Sequence, residues 1–182
     1  PNANFANDGF GHATGLDIFW RDNKSIKNVD YWVSYSYLDT SRKFENFPVE
    51  AMPNFATKHN FSLVTKHWID SLKSQIGFSY NFSTGRPYTN PNTTGFLSET
   101  TKDYHSLSVN WAYLLSPQKI LYFSVSNALG VRNVFGYEYA NQADVNGNFQ
   151  RMVRRPAADQ FFFVGFFWTI SDDNKSNQLD TL

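Results

Sequence analysis

The chain has 182 residues and a mass of 21.0 kDa, enough for one domain with a sizeable core and too short to expect two. Its 16 Lys and Arg balance its 16 Asp and Glu, which argues against electrostatic steering onto nucleic acid. With no cysteine, disulfide frameworks, thiolate metal sites, iron–sulfur clusters and cysteine nucleophiles are excluded.

The longest nearly unbroken apolar run, Phe161 to Trp168, covers eight residues including Gly165, short of the ~18 that a membrane-spanning helix requires. The chain opens Pro1-Asn2-Ala3-Asn4, without a start methionine or a basic-then-apolar leader, and reads as a mature chain or a fragment.

Period-two alternation begins weakly between His12 and Trp20, where Leu16, Ile18 and Trp20 are in step. From Val29 it is sharp: Val29, Tyr31, Val33, Tyr35 and Tyr37 share one face, and Asp30, Trp32, Ser34 and Ser36 the other. It returns weakly between Phe55 and Trp68, then strongly from Ser74 to Ser83, where Ile76, Phe78, Tyr80 and Phe82 oppose Gln75, Gly77, Ser79, Asn81 and Ser83. A further strand sets Leu107, Val109, Trp111 and Tyr113 against Ser106, Ser108, Asn110 and Ala112, and Leu121, Phe123 and Val125 follow in step. The last, Gln160 to Ile170, is apolar at both parities, so its register cannot be assigned from pattern alone. No stretch sustains a 3.6-residue period. The expected fold class is therefore all-β, with seven strands near residues 9–22, 28–46, 54–70, 72–85, 102–116, 118–139 and 158–171, the sixth bent around Asn127 to Asn133, and a polar tail over 172–182.

The connections alternate in length. Asn23 to Lys27, Asp70-Ser71 and Ser116-Pro117 are tight hairpins, whereas Phe47 to Pro53, Arg86 to Thr101 and Ala140 to Ala157 are long and irregular. Short turns at one end and long loops at the other are the layout of an antiparallel up-and-down outer-membrane barrel. The polar rows carry Ser, Asn, Gln and Gly rather than the Lys and Glu of a solvated surface, and the Tyr, Phe and Trp at strand ends match interfacial aromatic girdles. The competing reading is a soluble β-barrel or sandwich that binds an apolar ligand within its aromatic face. An odd number of strands cannot close such a bacterial barrel. Seven strands at ~4.8 Å spacing and ~40° tilt span roughly 44 Å, about a third of the roughly 138 Å of a 22-stranded wall.

Several segments together carry a family resemblance: Asp39-Thr40-Ser41-Arg42-Lys43-Phe44-Glu45-Asn46-Phe47-Pro48, Pro53-Asn54-Phe55-Ala56-Thr57-Lys58-His59-Asn60, Ser83-Thr84-Gly85-Arg86-Pro87-Tyr88, and Arg155-Pro156-Ala157-Ala158-Asp159-Gln160 running into the aromatic last strand. Over nearly its whole length the chain resembles the C-terminal barrel strands of TonB-dependent outer-membrane receptors, particularly those of Bacteroidetes. The resemblance implies residues 1–171 as wall strands of a barrel of about 22 strands, located in the outer membrane of a Gram-negative bacterium. It implies ligand uptake driven from the inner membrane, with no catalysis and no cofactor. The implied partners are the rest of the barrel and its N-terminal plug, TonB through that plug, a surface lipoprotein, and outer-membrane lipid or lipopolysaccharide. One departure is visible: many such barrels end on an aromatic residue, whereas Ser171 here precedes the polar tail.

The four histidines lack the spacing of a metal site, and His105-Ser106 lacks the glycine-flanked turn of a serine hydrolase. Ligand or loop contact is expected at Arg86 and Tyr88, held in a Gly85/Pro87 turn at the top of the fourth strand. It is also expected at Arg151, Arg154 and Arg155, a cationic loop segment suited to phosphates or an anionic ligand.

Overall fold

The computed structural model describes residues 9–44 and 46–170. In chain order the strands are β1 (Phe10–Asp22), β2 (Val29–Lys43), β3 (His59–Ile69), β4 (Ser74–Ser83), β5 (Pro87–Tyr88), β6 (Glu99–Thr100), β7 (Tyr104–Ser116), β8 (Lys119–Ser126), β9 (Gly136–Tyr139), β10 (Arg151–Arg154) and β11 (Phe161–Trp168). Seven of them form one antiparallel sheet in the order β1-β2-β3-β4-β7-β8-β11, while β5–β6 and β9–β10 are separate small hairpins. The only helical element among the described residues is a single 3-10 turn, Asp70–Leu72. Among the described residues the sheet is open, with β1 and β11 paired on one side only. The polar tail 172–182 and Ser171 lie outside the described residues.

The meander agrees with the expected order of seven strands, with three differences that have local causes. The second strand stops at Lys43, and Arg42 exchanges backbone hydrogen bonds with Ala51 at 2.9 and 3.1 Å. The third starts at His59 rather than near 54, because Pro53 to Ala56 closes a turn in which the Ala56 N–H donates to the Pro53 carbonyl. The expected sixth strand, 118–139, is wrong in its second half: β8 ends at Ser126, and Gly136–Tyr139 pairs with Arg151–Arg154. Asn127 diverts the chain. Its backbone is left-handed (φ 50°), and its side-chain amide donates to the Val131 carbonyl at 2.8 Å and the Asp159 carbonyl at 2.7 Å.

Cross-strand register joins the alternating residues into two continuous faces. Leu16, Tyr37 and His59 lie abreast, as do Trp20, Val33, Leu63, Tyr80 and Leu107, and Ile76, Trp111, Phe123 and Val164. Tyr80, Phe78, Trp111 and Tyr113 therefore share one face, while Ser79, Asn81 and Asn110 share the other with Ser34, Ser62, Ser108 and Ser124. β11 now has a register: Phe162, Val164, Phe166 and Trp168 join the apolar face, and Phe161, Phe163 and Phe167 the polar one. Gly165 makes room for the latter, since a Cβ there would stand 2.9 Å from Phe163 and 3.1 Å from Phe167. Another aromatic on the polar face, Trp32, is covered by cations, Arg21 at 5.7 Å and Lys66 at 5.5 Å. Arg21 also binds the buried Asp30 carboxylate through two hydrogen bonds of 3.0 and 2.6 Å.

No second layer of the described residues covers the apolar face. Among the described residues the buried apolar side chains are Pro53, Ala56, Pro87, Ala112, Ile120 and Val134, whereas Leu16, Ile18, Trp20, Phe78, Trp111, Phe123 and Phe166 are exposed. A soluble domain of this size hides its large side chains and leaves no apolar patch of this extent open.

The register also slides along the sheet. Asp22, the last residue of β1, lies level with Tyr31, Thr65, Phe78, Val109, Val125 and Phe162, but β11 runs on from Phe162 to Trp168, six residues further, over six inter-strand steps. At ~3.3 Å per residue and ~4.8 Å per strand, this slide sets the strands roughly 35° off the perpendicular to the line of turns.

At the other end, the sheet is finished by a side chain rather than a strand. The buried Asn133 amide accepts the His105 N–H at 3.0 Å and donates to the His105 carbonyl at 2.7 Å, continuing the ladder where β8 has ended. Asn133→Ala orphans both groups and is expected to cost ~1–3 kcal/mol, read as a lower denaturant midpoint with unchanged strand content.

Candidate functional site

The long connections, residues 44–58, 84–103 and 127–160, emerge from the same end of the sheet and pack on one another. The Thr84-Gly85-Arg86-Pro87-Tyr88 segment is their anchor. The Thr84 hydroxyl accepts the backbone N–H groups of Lys58 and His59 at 3.0 and 3.1 Å, tying the β4 exit to the β3 entry. Gly85 is required by close approach: a Cβ there would lie 1.9 Å from the Thr101 carbonyl oxygen. The Gly85 N–H donates to Asp103 at 2.9 Å, and the Arg86 N–H to the Thr101 hydroxyl at 2.9 Å, so the chain leaves the wall in a fixed direction.

That direction places Tyr88 opposite Glu99 in the β5–β6 hairpin. The Tyr88 hydroxyl donates to Glu99 Oε2 at 2.5 Å, and Asn90 Nδ2 and the Thr93 hydroxyl donate to Oε1 at 3.0 and 2.9 Å. The Tyr88 bond, then those from Asn90 and Thr93, hold the Glu99 carboxyl below the ordinary glutamate range. Burial, reinforced by the Glu99 charge, pushes the Tyr88 phenol well above its ordinary value. Tyr88 is thus a neutral donor and Glu99 a charged acceptor over the neutral pH range.

The Tyr88 ring packs 4.6 Å from Tyr137 of β9, and the Arg151 guanidinium of β10 lies 4.7 Å over that Tyr137 ring. A second bridge joins the two hairpin loops: the Asn92 side chain donates to the Phe149 carbonyl at 2.9 Å and accepts its N–H at 2.7 Å. The first long loop contributes Phe47, whose ring meets Phe96 at 4.8 Å. Between these pairs opens a cleft of about 440 Å³ lined by Asn46, Phe47, Asn54, Tyr88, Phe96 and Tyr137. Leu97 on its rim is left-handed at φ 49°, a strained state for a leucine, and is held there by its N–H bond to the Thr89 hydroxyl at 2.9 Å.

The five residues singled out in the sequence meet different fates. Tyr88 and Arg151 come together around Tyr137. Arg86 stays exposed beside Thr101, Tyr104 and Phe135, outside the cleft. Arg154 pairs with Glu138 at 3.3 Å, both exposed, and Arg155 is exposed beyond the end of β10. Arg151 and Arg154 stand on a strand rather than in an irregular loop. Apart from Tyr88, the aromatic and amide groups of the cleft, Asn46, Phe47, Asn54, Phe96 and Tyr137, and Glu99 beside it, are not among the residues that the sequence singles out. The alternation Tyr137-x-Tyr139 against Arg151-x-Val153 was a signal for the β9–β10 hairpin that holds Tyr137.

Among the described residues, no three His, Asp or Glu side chains converge as a metal site would require. Comparison with protein-family models, with characterised proteins and with solved structures finds no match.

Because the folded Glu99 titrates below the unfolded residue, its contribution is complete above the unfolded value of ~4.3 and is lost as the pH falls through the folded value. The loop cluster should thus resist limited proteolysis between Asn90 and Glu99 at pH 7 and become cleavable on acidification below about pH 4. Glu99→Gln should abolish that pH dependence; a profile unchanged by the substitution would remove Glu99 from this role.

Proposed function

We propose that this chain is the C-terminal portion of the barrel wall of a TonB-dependent outer-membrane receptor, which takes up a ligand across the outer membrane of a Gram-negative bacterium. The observation that carries this reading is the single-layer sheet with one continuous, uncovered apolar face, a form stable where hydrocarbon takes the place of a second protein layer. The slide of one residue per strand supports it, because a sheet that curls into a closed barrel has strands tilted by ~35–45°. So do the two unpaired edges, which in lipid would leave backbone groups unsatisfied at several kcal/mol each and therefore require further strands of the same wall.

In this reading the polar face lines the lumen against the plug, the tight turns face the periplasm, and the loop cluster with its cleft lies on the extracellular side. TonB acts through the plug, and a surface lipoprotein meets the loops. The soluble binding module requires protein over the aromatic face, and none of the described residues covers it. No helix among the described residues is long and apolar enough to cross a membrane.

Two substitutions separate the faces. Phe78→Arg places a cation at mid-wall on the apolar face and should cost ~2–4 kcal/mol in refolding from urea into micelles, whereas Ser79→Arg on the polar face should cost little. Spin labels supply the decisive test: labels at Phe78 and Trp111 should be relaxed by membrane-dissolved oxygen, and labels at Ser79 and Asn110 by a water-soluble reagent. The opposite assignment would end the membrane reading.

A further inference from the structure

Three histidines stand at the long-loop end of the apolar face on alternate strands of the sheet: His12 on β1, His59 on β3 and His105 on β7. At each, Nδ1 meets a hydroxyl of the neighbouring strand, namely Ser41 at 3.2 Å, Tyr35 at 2.8 Å and Tyr80 at 2.9 Å. The last two are copies of one device. Tyr35 and Tyr80 each reach diagonally, past the residue directly opposite, to the histidine one rung nearer the loops. With Nδ1 occupied by a phenol, Nε2 is the remaining polar atom of each ring, and it has no partner among the described residues.

The two rings stand at one height. His105 lies level with Phe61, two residues along β3 from His59, and two strands away, which matches the slide of one residue per strand across the sheet. Their separation is therefore ~12 Å along a line parallel to the rim. Beside His59 stands the exposed Lys58, its ammonium 5.9 Å over the Tyr37 ring, which in turn lies 5.2 Å from the His59 ring. His12 differs, since Glu50 approaches its Nδ1 at 3.4 Å and opposes any anion there.

We infer that His59 and His105, with Lys58, form a phosphate-binding shelf for the headgroups of the surrounding bilayer. The inference rests on the membrane reading above and adds to it a specific lipid contact. With each phenol donating to Nδ1, the ring carries its proton on Nε2 as a donor to a headgroup phosphate oxygen, and the ring bodies rest beside Tyr35, Tyr37 and Phe82. The Lys58 ammonium adds the charge that makes the contact selective for an anionic group.

The test is native mass spectrometry of the full-length protein released from maltoside micelles. The added probe is phosphatidylglycerol, diacylglycerol with the same acyl chains, or inorganic phosphate. The wild type should retain phosphatidylglycerol over diacylglycerol. The double substitution His59→Phe, His105→Phe should lower that retention about tenfold, the size expected when each bound headgroup, too small to bridge both rings, loses one hydrogen bond to its charged phosphate. Tyr35→Phe with Tyr80→Phe, which keeps both imidazoles and frees their tautomers, should lower it by less. Equal retention of both lipids, or undiminished phosphatidylglycerol in the histidine variant, overturns the inference while leaving the membrane reading intact. Displacement of the lipid by inorganic phosphate would assign the shelf to the free anion and overturn it too. A wild type that never enters micelles removes the membrane reading and the shelf with it.

Discussion

The ladder hydrogen bonds that hold seven strands in antiparallel register also align their alternating side chains, so that the apolar rows of β2, β3, β4 and β7 fall on the same side. A slip of one residue at any pair would send that strand's apolar row to the polar face. Because the described residues fold no second layer against the apolar side, the usual source of stability, apolar surface removed from water by other protein, is largely missing among them. Everything else in the molecule follows from that arrangement: buried polar groups outnumber buried large apolar ones, and the interactions that specify the structure are mostly backbone ladders and the polar side chains that extend them.

Those polar side chains do the work that strands and turns leave unfinished. Asn133 extends the β7 ladder past the end of β8, Asn127 turns the chain and ties it to Asp159, and Asn92 pairs with the backbone of Phe149. An asparagine amide suits this role because it presents a donor and an acceptor side by side, as a peptide unit does. Thr84 accomplishes something similar at the β3–β4 junction with one hydroxyl accepting two N–H groups. The long loops are thereby fixed at their roots, and the Phe47–Phe96 and Tyr88–Tyr137 contacts can hold a cleft of defined shape between them.

The two faces handle their exceptions differently. On the polar side, Trp32 is covered by Arg21 and Lys66, whereas Phe163 and Phe167 flank Tyr122 around Gly165 and stay partly exposed. On the apolar side, several polar groups near the rims are paired: Tyr35 with His59, Tyr80 with His105, and Lys119 over Trp168 at 5.0 Å at the turn end. A polar atom at the edge of an apolar band is inexpensive to keep when its ring body can stay in the band and its heteroatom can leave it.

By itself the sequence determined the strand order, the two-faced wall and the alternation of short turns with long loops. These depend on local period and turn chemistry, which are legible in stretches such as Val29 to Tyr37 and Ser74 to Ser83. The fate of residues 127–139 was not legible, because the competition between extending β8 and forming the β9–β10 hairpin is settled by Asn127 bonding to Asp159, thirty-two positions away. Nor was the register of β11, whose side chains are apolar at both parities; only its pairing with β8 assigns each phenylalanine to a face. Tyr88 and Arg151 stood out in the sequence, but their meeting at Tyr137, and the exclusion of Arg86 from the cleft, depend on how hairpins that are distant in the chain pack together. Packing of that kind leaves no period in a sequence, since the residues that touch are chosen by the folded path of the loops rather than by their spacing.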